Sequence, residues 1–327
     1  MEHSASRLSS RPPLRAGGAA LMLLANPLNL AALRDLAAGP QRLQELMRDL
    51  GFPPRSTTRQ YLQTLAEMGA VVRRSRSAFP TSVDYEITEG GRALLRVSDT
   101  LQTWLQLSPA GPIELGSTAA KSAIKALVEG WGSNIVRALA TRPLSLTELN
   151  SLIPRISYPS LERRLTAMRQ VNLLATQSSH GRTTPYEVTE WLRRAIAPIV
   201  SAIGWERRYA EDRTIDLRRL DVEAAFLLAI PLMNLNSELT GRCRLAVEVD
   251  DGTSHAFAGV LVSIEAGEVT ACLPSLESDA EAWVAGNPRA WLRRLNGAPL
   301  EELDVEGEIR LAEAITDALA RTASEPQ

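Results

Sequence analysis

The sequence predicts a mainly α chain with an α+β final third: two tandem helical units, each with a β-hairpin near its end, then a mixed unit. Three observations carry this prediction. A pattern of helix-like and strand-like segments is written twice, the periodicity changes after Arg213, and charge divides at the same places. The 327 residues suit two or three domains, and 45% hydrophobic with 23% charged residues is a foldable composition.

The first copy reads LRDLAAGPQRLQELMRDL over 33–50, STTRQYLQTLAEMGAVVRR over 56–74 and VDYEITEGGRALL over 83–95. The second reads VRALATRPLSLTELNSLI over 136–153, PSLERRLTAMRQVNLLAT over 159–176 and TPYEVTEWLRRAI over 184–196. Leu36, Leu46 and Leu62 correspond to Leu139, Leu149 and Leu165 at one offset, and Tyr85–Glu89 to Tyr186–Glu190 at nearly the same one.

Residues 1–15, rich in Ser, Arg and Pro, read as a disordered arm, and 16–110 as the first unit. A first helix is expected over about 17–37, kinked at Pro27. Gly39-Pro40 stops it, and 41–50 form a short second helix with Leu43, Leu46, Met47 and Leu50 on one face. Ser56 or Thr57 caps a third helix to about Met68, which turns Leu62, Leu65 and Met68 inward and Thr58, Arg59, Gln60 and Gln63 outward. Val71–Arg76 and Val83–Ile87 are two strands around a turn-rich loop, and a last helix runs from Thr88 to about Leu107. The second unit, 111–213, repeats this order. Its third helix covers about 159–171, and its last, Thr189–Arg208, carries a kink at Pro198. Each unit therefore reads as a winged helix-turn-helix.

The remaining 214–327 form the α+β unit. A helix is expected over 217–235, then strands over 242–249, 255–264 and 269–273, then helices over about 279–295 and 309–322. Cys243, Leu245, Val247 and Val249 alternate with Arg244 and Glu248, the period of a half-buried strand.

Net charge is −2, but 1–110 carry 13 basic and 9 acidic residues, 111–213 carry 14 and 9, and 214–327 carry 9 and 20. The first two units can approach phosphate and the last repels it. Of the 36 basic residues only Lys121 and Lys125 are lysines, a bias that a GC-rich genome explains as well as DNA contact does.

A recognition helix enters the major groove by its N-terminal turn, where hydroxyls and forked donors are useful. In the first copy the candidates are Arg55, Ser56, Thr57, Thr58, Arg59 and Gln60, with Arg73, Arg74 and Arg76 on the wing. In the second they are Tyr158, Ser160, Arg163, Arg164, His180 and Arg182. Double-stranded DNA is the expected partner.

The order of helices, wing and VDYEITEGGRALL resembles the HxlR-type winged-helix regulators, whose x-Y-x-L-T-x-x-G-x-x-L run leads from wing to last helix. Residues 83–95 fit that run, and 186–196 fit it loosely, with Trp191-Leu192 where the pattern has glycine. The family's N-terminal cysteine is missing near Arg15, so the resemblance implies no thiol sensing. It does imply pairing of two units through terminal helices. Two copies in one chain reproduce that pair internally, giving a monomer with pseudo-dimeric heads or a homodimer of such chains.

In the last third, DAEAWVAGNPRAWLRRLNG (279–297) and LDVEGEIRLAEAITDAL (303–319) are similar to sterol-carrier-protein-type domains. That likeness implies a five-stranded sheet and helices around an apolar tunnel. Phe226, Leu228, Leu232, Met233, Phe257, Trp283 and Trp291 are the candidate lining for a hydrophobic small-molecule effector.

Cys243 and Cys272, with His3, His180 and His255, are too few and scattered for a metal site or a disulfide framework, and a cytoplasmic location is expected. Arg7, Arg11 and Arg15 ahead of apolar 16–25 imitate a secretion signal, but the repeat places that stretch in its first helix. No run reaches the roughly 20 apolar residues of a membrane helix. Gly-rich phosphate loops and nucleophile–histidine pairs are missing, so neither an enzyme nor a cofactor is expected. The reading is a ligand-responsive transcriptional regulator of an asymmetric operator. The alternative is sequestration of a hydrophobic metabolite or toxic natural product, with the winged helices as scaffold.

Overall fold

Asn26 splits the first apolar stretch into α1 (Gly18–Leu24) and α2 (Pro27–Ala38). Its side chain accepts a hydrogen bond from the Leu28 N–H, and Pro27, as the first helical residue, needs no N–H partner. The expected single kinked helix is thus two capped ones. The computed structural model describes residues 16–51, 53–76, 82–176, 184–210, 219–250, 255–277 and 279–324.

After α2 the chain forms β1 (Gln41–Arg42), α3 (Leu43–Asp49), α4 (Arg55–Glu67), β2 (Val71–Arg76), β3 (Ser82–Ile87) and α5 (Glu89–Gln106). The expected helix over 41–50 begins two residues late because Gln41 pairs with Tyr85, adding β1 to the hairpin in the order β1-β3-β2. Gly69 (φ 73°) turns the chain from α4 into β2, and the Thr88 hydroxyl closes the motif. That hydroxyl donates to the Gly69 carbonyl and accepts from the Gly91 N–H.

Residues 118–209 run through the same order: α6 (Thr118–Gly132), α7 (Ile135–Thr141), α8 (Leu146–Leu152), α9 (Tyr158–Gln170), β4 (Leu174–Thr176), β5 (Tyr186–Val188), α10 (Glu190–Arg194) and α11 (Ile196–Tyr209). A bridge between Leu144 and Tyr186 stands where Gln41 meets Tyr85. Thr189 donates to the Asn172 carbonyl and accepts from the Leu192 N–H, and Asn172 (φ 61°) takes the left-handed conformation of Gly69. The last helix breaks at Ala195 rather than kinking at Pro198. Pro198 sits in the first turn of α11, where a missing N–H costs little.

The two segments interlock through α5, α11, α1 and α6. The Trp104 indole N–H donates to the Trp191 carbonyl at 2.9 Å, and the Trp205 N–H to the Gly90 carbonyl at 2.7 Å. At the offset relating Tyr85 to Tyr186, Trp104 corresponds to Trp205 and Gly90 to Trp191, so the two bonds join corresponding positions of the two segments in opposite directions. Trp191 also donates to the Trp104 carbonyl at 2.8 Å, and the two rings stack at 4.6 Å. The buried Glu206 carboxylate accepts from the Gly17 and Ala20 N–H groups at 2.7 Å each, fixing the start of α1 against α11. Apolar 16–25 is therefore core, with Ala20, Leu21 and Leu24 buried.

The last third holds α12 (Arg219–Ala229), β6 (Gly241–Asp250), β7 (His255–Glu265), β8 (Glu268–Leu273), β9 (Ala282–Gly286), α13 (Pro288–Leu295), β10 (Asp304–Gly307) and α14 (Ile309–Ser324). The sheet order is β10-β9-β6-β7-β8, with β9 parallel to β6 and the other pairs antiparallel. Cys243, Leu245 and Val247 are fully buried on β6. Two expected helices are corrected. The one over 217–235 ends at Ala229, with a 3-10 turn around Pro231. The one over 279–295 is strand β9 followed by α13, because Asn287 caps α13 and Pro288 starts it. Helix α12 docks on α7, where Arg137 pairs with Glu223, and Arg193 donates to the Leu227 carbonyl at 2.8 Å. No helix among the described residues is long and apolar enough to cross a membrane.

Candidate nucleic-acid interface

The amphipathic pattern of α4 buries Leu62 and Leu65 and leaves Arg55, Arg59 and Gln63, spaced by four, on one outward row. The helix begins at Arg55, not at an expected Ser56 or Thr57 cap. Pro54 precedes it and no side chain caps its first turn, so the leading N–H groups remain available to an anion. Thr58 is corrected: it is 2% exposed, with its hydroxyl donating to the Pro54 carbonyl at 3.3 Å. It faces the core with Leu62 and Leu65 and cannot meet a base. Ser56 and Gln60 are exposed and Thr57 is half-buried.

Between α4 and the hairpin lies a cleft of about 790 Å³ that gathers Arg55 and Arg59 from α4, Arg73 from β2 and Arg42 from β1. Arg42 stands 3.8 Å from Asp84. Among the described residues Arg55, Arg59 and Arg73 have no carboxylate within 4.0 Å, so their charge faces solvent uncompensated. Side chains alternate along β2, which sends Arg73 toward the cleft beside Tyr85 and Arg74 to the other face, paired with Glu86. Arg76 ends β2. Arg42 was not among the sequence candidates. Only the hairpin pairing, invisible in local sequence, carries it to the others.

The second segment differs at these places. At the offset relating Leu62 to Leu165, the counterparts of Arg42, Arg55, Arg59 and Arg73 are Ser145, Tyr158, Glu162 and Thr176. None is basic. Tyr158 is 47% exposed, Ser160 and Arg164 are half-buried, and exposed Arg163 reaches the Ser160 hydroxyl at 3.5 Å. His180 and Arg182 lie outside the described residues. Ser145 caps α8 in a closed box with Glu148, whose carboxyl is pushed down to about 2 by the Ser145 backbone N–H, the Ser145 hydroxyl and Arg142.

The candidate effector residues divide. Phe226 and Trp291 meet edge-on at 4.7 Å in the buried helical layer, and the Trp291 indole donates to the Ala246 carbonyl. Leu228 and Met233, close to Phe226 in sequence, are buried too, and Leu232 is half-buried. Phe257 and Trp283 pair at 5.4 Å on the strand face bearing Arg244 and Glu248, with the Arg244 guanidinium over the Trp283 ring. The seven residues thus form two groups.

Residues 23–109 match the family model of the HxlR-like helix-turn-helix. The match ends three residues after α5 and takes in the whole basic cleft. A Mycobacterium tuberculosis protein described as an HTH-type transcriptional regulator is 35% identical over 99 residues, 30% of this chain and 62% of the relative. A Mycobacterium bovis protein of the same description matches to the same extent. The chain spans less than two thirds of the length of these relatives. An HxlR-like helix-turn-helix thus lies near the N-terminus of a mixed helix-and-sheet chain, and its third helix and hairpin hold the cleft arginines.

Proposed function

We propose that the chain is a DNA-binding transcriptional regulator whose first segment reads the major groove with α4 and holds flanking phosphates with its hairpin. The observation that carries this is the cleft in which Arg55, Arg59 and Arg73 stand without carboxylate partners beside an uncapped helix start. Forked guanidinium groups at that position suit both phosphate and guanine. The second segment acts as a winged helix of the same plan and as the built-in partner that a separate subunit would otherwise supply. With Ser145, Tyr158, Glu162 and Thr176 in place of the arginines it grips DNA weakly, so the operator has one strong and one weak half. The acidic last third, a sterol-carrier-like unit, senses a hydrophobic small molecule rather than touching DNA.

The test is selection of bound fragments from a random DNA pool at about 150 mM salt, followed by affinity measurement with Arg59→Ala. An enriched site whose binding weakens about 10- to 100-fold in the variant is the expected result. No enrichment, or unchanged affinity in Arg59→Ala, would overturn the proposal.

A further inference from the structure

Away from the DNA cleft, α5, α11 and the end of α13 enclose a second cleft of about 810 Å³. Val97 and Trp205 give it an apolar floor, and Arg96, Arg207, Arg208 and Arg293 give it four positive charges. Among the described residues no Asp or Glu lines it. Arg208 is held from outside by Glu89 at 3.3 Å, and Arg293 by Glu302 at 2.6 Å. Among the described residues Arg96 and Arg207 have no carboxylate within 4.0 Å. Arg207 is half-buried, and its pKa is lowered first by burial and then by repulsion from Arg289 and Arg293. Gathering like charges on partly dry ground is unfavourable unless an anion completes the site. The volume lies within the range of small-molecule pockets, about 300–1,000 Å³, and an apolar floor with a few converging polar groups is their usual chemistry.

We propose that this cleft binds a small organic anion with an apolar body, its carboxylate, sulfonate or phosphate head held by Arg207 and Arg96 and its body against Trp205 and Val97. The site is separate from the apolar residues of the C-terminal sheet. Its guest touches one helix from each segment and one from the last third, so occupancy can bias the placement of the two heads. That control role rests on the DNA-binding reading above, whereas binding itself does not. The ligand shifts DNA affinity only as far as it prefers one placement over the other.

Naphthalene sulfonate and its uncharged twin, naphthalene sulfonamide, distinguish the outcomes when titrated calorimetrically into the full-length protein. The expected result is a single sulfonate site, with the sulfonamide weaker by about tenfold or more and a similar loss in Arg207→Gln. Arg96→Gln, on an exposed side chain, gives a second reading should Arg207→Gln melt early by circular dichroism. Equal binding of both probes, unchanged sulfonate affinity in the folded variants, or no sulfonate binding to the folded wild type would overturn the proposal. Operator affinity is read separately with Arg59→Ala, so failure here leaves the DNA reading standing.

Discussion

Of the four cleft arginines, Arg59 alone has a counterpart of opposite charge in the second segment, Glu162. If α9 lies against phosphate, Glu162→Arg should tighten DNA binding and steepen the logarithmic salt dependence by about one unit. Fluorescence anisotropy at several salt concentrations reads both, and an unchanged slope would place α9 away from the duplex. Thr58 was legible as an inward residue once its counterpart Leu161 is considered. The spacing of four and seven to Leu62 and Leu65 puts it on that face too, and only its hydroxyl points to the opposite reading. Glu148 offers a pH test. Its folded-state pKa of about 2 lies below the ordinary 4.5, so its capping box adds stability above 4.5 that is lost as pH falls toward 2. Glu148→Gln should therefore melt below the wild type at neutral pH, with the difference closing between pH 4.5 and 2.

The tryptophan bonds from α5 to α10 and α11 make a definite prediction about how helices hold the segments together. Trp205→Phe keeps the ring burial and leaves the Gly90 carbonyl without its donor, which should cost about 1–3 kcal/mol in urea denaturation. A loss well below that would mean that water replaces the indole. Most helices could be read from leucine spacing and from Pro and Gly punctuation, because those signals are local. Strand β9 could not. AWVAG is short and sits among helix formers, and what makes it a strand is parallel pairing with β6 some forty residues earlier. The sequence predicts a kink at Pro198 where the break falls at Ala195, because a proline marks the neighbourhood of a break but not its residue. The second cleft is invisible for the β9 reason: Arg96, Arg207 and Arg293 come from three elements that no local pattern connects.

For the whole molecule, α5 and α11 pack on each other within one chain, and on the proposed reading that seam replaces a subunit interface, which predicts a monomer. Sedimentation at micromolar concentration should give a species of 35.6 kDa, and a stable species of twice that mass would show a second dimer surface. The charge division has a companion effect: the last third, with 9 basic and 20 acidic residues, repels phosphate where the first two thirds can approach it. The Glu206 carboxylate adds a constraint of another kind. It caps α1 from 186 and 189 residues further along the chain, so the start of the first segment lacks its anchor until α11 has been made. At roughly 5–20 residues per second that is about 10–40 s on the ribosome. Through that interval the apolar stretch 16–25 has no α11 to cover it, and the order of synthesis makes it the segment most in need of shelter.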